Sequence, residues 1–470
     1  MAFQDILHKD LSLVQQSGLF DADWYLKTYP DVGQSSLEPL RHFLSYGTLF
    51  LRDPGPDFSC SFHRHLHGQA ALAGGNALLH HLKNPNASGR GEEALHAAHE
   101  LAVLGRTELA LRLARHHVPV DLVATLASLE MVTALQGGDL AGWSAALNQY
   151  LASYGQSALR CDRSGDRAGA ASDDVFAQFH PATPLPFVTD GPLISVLMPV
   201  FNAATTLGFA VNSILQQSWH NLELLVVDDN SHDDSWQLLQ AMSARDPRIR
   251  LMHCNRNVGP YVAKTLALGA ARGTYVTGQD SDDWAHPQRL EHHMAAHLAQ
   301  TKRLPLSLGW GLRLGIDGAP THISRARTEL SQDGFVRRSP VSCLLETDFL
   351  RQRLGGWDSV RFGADSELLL RAEHHLGHKL QELPIISLLC RDAPGNLSND
   401  ITHGTRVKGG KLSTTRRDYI AGIRAWLQTQ PPGAVAPMPL PHIPRYYPVP
   451  AIMTVPDADI HSVMAEQRWR

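Results

Sequence analysis

Residues 194–229 read ISVLMPVFNAATTLGFAVNSILQQSWHNLELLVVDD. The runs at 194–200 and 222–229 have the length and composition of β-strands, and the stretch between them, 204–217, has helical spacing. The alternation continues down the chain: RIRLMHC (248–254) and TYVTGQD (274–280) are strand-like, and 234–245 and 260–272 are helical. Short strands separated by single helices predict right-handed crossovers and a mainly parallel sheet, hence an α/β domain. Helices near 287–300, 346–354 and 365–376 are expected to complete it. In such sheets ligands bind beyond the carboxyl ends of the strands, which is where Asn202, Asp229 and Asp280 fall.

The fourth strand runs into Gln279-Asp280-Ser281-Asp282-Asp283-Trp284, which places three carboxylates in four positions. Such a cluster repels itself unless something positive sits among the acids. A strand tip carrying a knot of oxygen ligands suits a divalent cation, Mn2+ or Mg2+, and through it a diphosphate. Asp280 and Asp282 are the expected metal-site pair. Asp283 equally suits a helix cap ahead of Pro287, but capping accounts for one acid and leaves two.

Three segments, PVFNAATTLGFAVNSILQQSWHNLELLVVDDNSHDDS, RNVGPYVAKTLALGAARGTYVTGQDSDDWAHPQRLE and GGWDSVRFGADSELLLR, follow in this order at familiar separations. Together they resemble the catalytic domain of an inverting family 2 glycosyltransferase with the GT-A fold, a Rossmann-like mainly parallel sheet, over roughly 192–400. The resemblance implies a hexosyltransferase-type enzyme that moves a sugar from a nucleotide sugar, a UDP-sugar, to a hydroxyl. It also implies roles for single residues. Pro199, Phe201 and Asn202 end the first strand where the family's loop packs on the nucleotide base. Asp229 matches the carboxylate that accepts a hydrogen bond from uracil, a pure acceptor facing an N–H donor. Asn257, Gly259 and Lys264 match the segment that approaches the nucleotide. Lys264-Thr265 stands where many relatives carry Arg-Asn, so a point charge replaces a planar bidentate contact.

Asp280 and Asp282 match the acids of the family's DxD signature. Phe362–Leu368 resembles its ED motif, with Ala364 in place of the common Glu and Asp365 at the position of the base. An inverting transfer needs one carboxylate near the acceptor hydroxyl, opposite the leaving diphosphate. Asp365 at a helix start is expected to be held ionised by the helix dipole, and capping that helix is its plain alternative role; Glu367 is secondary. Trp357 and Asp358 are expected on the acceptor side. Trp284 and His286 are expected beside the metal loop, facing donor or acceptor, and Arg391 in LLCRDAPGNLS over the diphosphate.

The rest of the chain bounds this reading. A formal charge of −4 gives no electrostatic case for nucleic acid. Five scattered cysteines without a CxxC pair read as reduced thiols. No signal peptide and no membrane span is expected, which suits a cytoplasmic protein; peripheral attachment to the inner membrane is compatible with the sequence. His80-His81, His116-His117 and His292-His293 point about 100° apart on a helix and rarely ligate one ion. His63-Arg64-His65-Leu66-His67 alternates as one face of a strand would, and is left unassigned.

Residues 1–66 read as a small helical module, with Asp21 or Asp23 capping a helix that ends near Tyr29-Pro30 and a second helix stopped by Gly47. Residues 67–161 are helical throughout, broken at Gly105 and at Gly137-Gly138 with Asp139 as the next cap, in tetratricopeptide-like pairs or a plain bundle. A linker (162–191), the 192–400 domain, and a C-terminal helix with a Pro-rich tail (401–470) follow. The tail is expected either to wrap the domain or to be partly disordered. The N-terminal module resembles one found beside bacterial glycosyltransferases of surface-polysaccharide assembly, which implies a glycan, lipid-linked or protein acceptor. An inactive scaffold that recruits partners through its helices is the other class; the four acids Asp229, Asp280, Asp282 and Asp365 weigh against it. A nucleotidyltransferase would need a Gly-rich basic loop where this chain has NAATT.

Overall fold

The computed structural model describes residues 3–47, 49–68, 76–162, 174–299, 304–397, 399–400, 402–404 and 412–470. Its chain forms two units, one of residues 1–150 with 322–335, the other of 151–321 with 336–470.

In the second unit, a small antiparallel pair, β1 (Leu159–Cys161) and β2 (Phe179–Pro181), precedes the main sheet. Then come β3 (Ile194–Val200), β4 (Leu222–Asp228), β5 (Ile249–His253) and β6 (Tyr275–Gly278), each parallel to its neighbours. Every residue of β3 and β4 is buried, because helices cover both faces; that is why the segments read as largely apolar runs, and the polar Ser195 within them donates to Glu223 Oε1 at 2.6 Å. Val196, Met198, Leu224 and Val226 pack with Leu207, Val211 and Ile214 on one face. Leu197, Leu225 and Val227 pack with Val262, Leu266 and Ala267 on the other. The crossover helices are Leu207–Leu215, Ser235–Ser243 and Pro260–Ala270, inside the expected spans.

Five more strands, β7 (Trp284–Ala285), β8 (Leu306–Gly315), β9 (Val336–Arg338), β10 (Leu344–Glu346) and β11 (Glu382–Asp392), extend the sheet. Its order is β5-β4-β3-β6-β10-β8-β11-β7, with β9 on β8. β10 runs antiparallel to both β6 and β8, so the sheet is parallel at one end and mixed at the other. The helix expected at 346–354 is present, with Phe349–Leu354 wound as a π-helix and closed by Gly355 in the left-handed region (φ 81°). The Pro-rich tail is laid along this unit. Met438 N donates to Leu354 O at 2.8 Å, Arg361 N to Met453 O at 2.8 Å, and Leu251 and Arg470 exchange both backbone bonds.

In the first unit, Asp21 Oδ1 caps helix Ala22–Thr28 by accepting from Trp24 N at 2.9 Å. Gly105 separates Ala94–Val103 from Thr107–His117, and Asp139 Oδ1 accepts from Gly142 N at 2.8 Å where Leu140–Ser153 begins. One core cluster runs from Val14, Tyr25 and Phe43 to Leu78 and Leu79, across the expected boundary at 66. Residues 63–67 are not a strand: Cys60–His67 is a helix, started by Ser59, whose Oγ accepts from Phe62 N at 3.2 Å. His63 and His67 therefore stack one turn apart, ring centroids 4.3 Å, and His63 Nε2 meets His80 Nδ1 at 2.9 Å. Residues 322–335 complete this unit. Arg325 pairs with Glu92 at 3.2 Å and Glu93 at 3.4 Å, Arg327 with Asp121 at 2.8 Å, and Tyr150 donates to Asp333. Among the described residues no helix is long and apolar enough to cross a membrane.

Candidate active site

β3, β4 and β6 are parallel neighbours, so the loops after them open on one edge of the sheet. After β3, Pro199 is buried within the strand, Phe201 is 47% exposed, and Asn202 takes a left-handed conformation (φ 48°) with its Oδ1 accepting from His232 N at 2.8 Å. After β4, Asp229 is 2% exposed, and its carboxylate accepts the amides of Val258 and Gly259, both at 2.7 Å. Burial pushes that carboxyl up to about 7, against the two amides. Asn257 Nδ2 donates to Asp229 O at 3.2 Å. Asp229, Asn257 and Gly259 thus form one knot that seats the start of helix Pro260–Ala270. Gly259 sits there at φ 80°, ψ 163°, a conformation that only glycine adopts without strain. Gly259→Ala is expected to cost about 1–3 kcal/mol, read as a lowered melting temperature, and to weaken nucleotide binding with it.

The same helix carries Tyr261 and Lys264. Lys264 is 2% exposed, and its Nζ lies 3.4 Å from Asp280 Oδ1 and 3.4 Å from Asp365 Oδ1. Tyr261 OH donates to Asp365 Oδ2 at 3.2 Å and Trp357 Nε1 to Asp365 Oδ1 at 3.0 Å. Asp365 therefore collects three donors. Burial pushes its carboxyl above the usual range, with the Lys264 charge pulling against that and Asp280 adding to it. That direction runs against the ionised carboxylate expected from the helix start, and burial is its largest cause.

In the loop after β6, burial and the neighbouring Asp280 push Asp282 up to about 6. Burial and the neighbouring Asp282 push Asp283 well above the usual carboxylate range, and it caps no helix; its Oδ1 accepts from Arg391 N at 2.9 Å. Behind the acids lies Arg289, fully buried, which donates to Gln279 Oε1 at 2.8 Å, Thr277 Oγ1 at 2.6 Å and Gly278 O at 2.7 Å.

Arg391 Nε donates to Asp174 Oδ2 at 2.6 Å, and its charge also acts on Asp282, so the side chain stands beside the acid loop. Three expected site residues are placed otherwise. Trp284 is 3% exposed in β7 and packs on Phe179 at 5.5 Å. His286 is fully buried, its Nε2 against Ser157 O at 3.1 Å, and burial pushes it down to about 4, so it is a neutral core residue. Asp358 is also fully buried and faces the C-terminal segment, not an acceptor surface.

A model of Glycosyl transferase family 2 matches residues 195–306. An uncharacterized glycosyltransferase of Haemophilus influenzae is 39% identical over 103 residues, 22% of this chain and 41% of that protein. The succinoglycan biosynthesis protein ExoO of Rhizobium meliloti is 38% identical over 105 residues, 22% of this chain and 30% of that protein. "Putative glycosyltransferase EpsE" of Bacillus subtilis is 35% identical over 208 residues, which cover 42% of this chain and 72% of that protein. The chain belongs to glycosyl transferase family 2. It spans less than half the length of the Haemophilus relative.

In this family 2 chain the donor set at the β6 tip fits a divalent cation. Asp280, with its side chain 41% exposed and Lys264 Nζ at 3.4 Å, and Asp282, two residues on, offer carboxylate oxygens, and the charge of Asp280 still pushes Asp282 up. Among the described residues no group of three or more His, Cys, Asp or Glu is gathered to hold an ion. The fit is thus to a cation held by two carboxylates and completed by substrate phosphates, not to an all-protein cage. Sequence reasoning missed Tyr261, Arg289 and the bond from Trp357 to Asp365. Tyr261 sits one turn before Lys264 on the same helix face, a spacing that could have marked it.

Proposed function

We propose that this chain transfers a sugar from a nucleotide sugar, specifically a UDP-sugar, to a hydroxyl acceptor, with inversion and with Mn2+ or Mg2+ on the diphosphate. The observation that supports this most is the meeting of two acids from distant segments, Asp280 and Asp365, at 3.4 Å each from one buried lysine. When bound, the cation offsets the negative charge that grows on the leaving diphosphate. The chain's own residues do the rest. Asp280 and Asp282 present the oxygens that hold the ion, and Asp229 with Asn257 and Gly259 shapes the nucleotide side. Asp365 takes the proton of the acceptor hydroxyl as its oxygen attacks the anomeric carbon. Tyr261 and Trp357 fix the orientation of that carboxylate, and Lys264 places a positive charge between the two acids. ExoO's role in succinoglycan biosynthesis favours a part in surface polysaccharide or glycoconjugate assembly, on a glycan, lipid-linked or protein acceptor at the cytoplasmic side of the membrane.

UDP release from a panel of UDP-sugars with Mn2+ tests the reading. Asp282→Asn is expected to lower turnover by about 100-fold or more and to abolish the metal dependence of UDP binding, with the melting temperature retained. A purified, folded protein that shows no metal-dependent binding of UDP or any UDP-sugar would overturn it.

A further inference from the structure

The loop 354–363 carries Trp357 and leads into the helix that bears Asp365, and it is held by residues far outside the span matched by the family model. Asp358 is its anchor. Asp358 Oδ1 accepts from His442 Nδ1 and Arg445 Nη1, both at 3.0 Å, and its Oδ2 accepts from Tyr419 OH at 2.8 Å and Tyr447 OH at 3.1 Å. Four donors thus fill both oxygens of a carboxylate that has no exposed surface. The neighbouring backbone is tied down from the same side. Arg445 Nη2 donates to Ser359 O at 3.1 Å, and His442 N to Ser359 Oγ at 3.3 Å. A side chain at Gly355 would put its Cβ 2.3 Å from Met438 O, so the tail's backbone lies directly on the loop.

A buried charged knot of this kind is a poor device for stability alone, because a well-packed apolar replacement is often as stable or more so. What it does supply is a single allowed arrangement of the loop. The residue before Asp358, Trp357, is the one whose indole N–H reaches Asp365 Oδ1 at 3.0 Å. We infer that Asp358 is a positioning residue for Asp365: the C-terminal segment, through Tyr419, His442, Arg445 and Tyr447, fixes the loop that holds Trp357 against the proton-accepting carboxylate. This rests on the role proposed above for Asp365.

The test uses the full chain with Tyr419→Phe, Tyr447→Phe and the double variant. Each keeps the ring and leaves His442 and Arg445 to balance Asp358, so the fold is retained. The double variant is expected to lower kcat by about 10- to 100-fold with donor KM nearly unchanged. Trp357→Phe is expected to give a comparable loss, and the tyrosine changes are expected to add little on top of it, since both cut the same link. Independently of turnover, hydrogen exchange at the Trp357 indole N–H, followed by NMR, is expected to quicken by about ten-fold in the double variant. Unchanged kcat with a lowered melting temperature, losses that multiply with Trp357→Phe, or unaltered indole exchange would each overturn the inference. A wild-type protein that releases UDP from no donor defeats the proposed function instead, and the exchange measurement still decides the positioning.

Discussion

Asp365→Asn is expected to lower kcat by about 1,000-fold while leaving the binding of UDP within about two-fold. The substitution preserves shape and removes the group that takes the proton. Its structural cost can be foreseen. Three donors surround this side chain, from Lys264, Tyr261 and Trp357. An amide offers one acceptor oxygen where the carboxylate offered two, so one of its own N–H groups must face a donor. A mismatched buried hydrogen bond of this sort costs about 1–3 kcal/mol, which a melting curve will show as a modest shift. Kinetics at saturating donor and calorimetry with UDP separate the two effects. If kcat survives while only the melting temperature falls, Asp365 serves to tie Tyr261, Lys264 and Trp357 together and is not the base.

The N-terminal unit is expected to lose about 4–6 kcal/mol of stability between pH 7.5 and pH 5. Its histidines are the cause. Burial pushes His63 and His99 down to about 3 and His117 down to about 4, with neighbouring imidazoles adding to each shift. A base whose folded value lies below its unfolded value of about 6.5 binds its proton only on unfolding. The stability it contributes is therefore complete above about 6.5 and is lost as pH falls toward the folded value. At pH 5 each such histidine weighs about 2 kcal/mol, less for the partly exposed His117. His65 works in the opposite sense, since its hydrogen bond to Glu100 at 2.9 Å raises it, but it is one against six, because burial also lowers His42, His67 and His81. Hydrogen exchange of residues 94–117 at the two pH values reads the effect within this unit. His99→Gln, which keeps a partner for Ser128 Oγ now 2.8 Å from His99 Nε2, is expected to flatten the slope by about a third. A pH-independent exchange pattern would contradict the account.

The elements that could be read from sequence are those whose neighbours are local. β3 through β6 announce themselves because continuous burial on both faces leaves no alternative to apolar runs. β8 did not, and its glycines explain why. LSLGWGLRLG looks like a poor strand, yet a Cβ at Gly309 would lie 1.9 Å from Ser387 Oγ, so the gaps in the pattern are where β11 comes close. The histidines at 63, 65 and 67 misled because five residues of alternation also contain an i, i+4 pair, and the capping Ser59 tips the choice to a helix. At the site, the acids at 280–283 stood out by charge, and Asp229, Lys264 and Asp365 by resemblance to the family. The partners that reassign Asp358 lie 61–89 residues away, and no local pattern encodes such pairings.

The excursion at 322–335 bears on how the chain is made. These fourteen residues belong to the unit that begins the chain, yet they are reached only after β8 of the other unit. During synthesis the first 150 residues must wait for them, with Asp121, Glu92, Glu93 and Tyr150 lacking the partners that Arg327, Arg325 and Asp333 bring. At about 5–20 residues per second, that interval lasts on the order of ten to forty seconds. A gene cut at residue 150 would make the wait permanent, so dissecting this protein into its helical and catalytic halves requires grafting the excursion, not simply choosing a boundary.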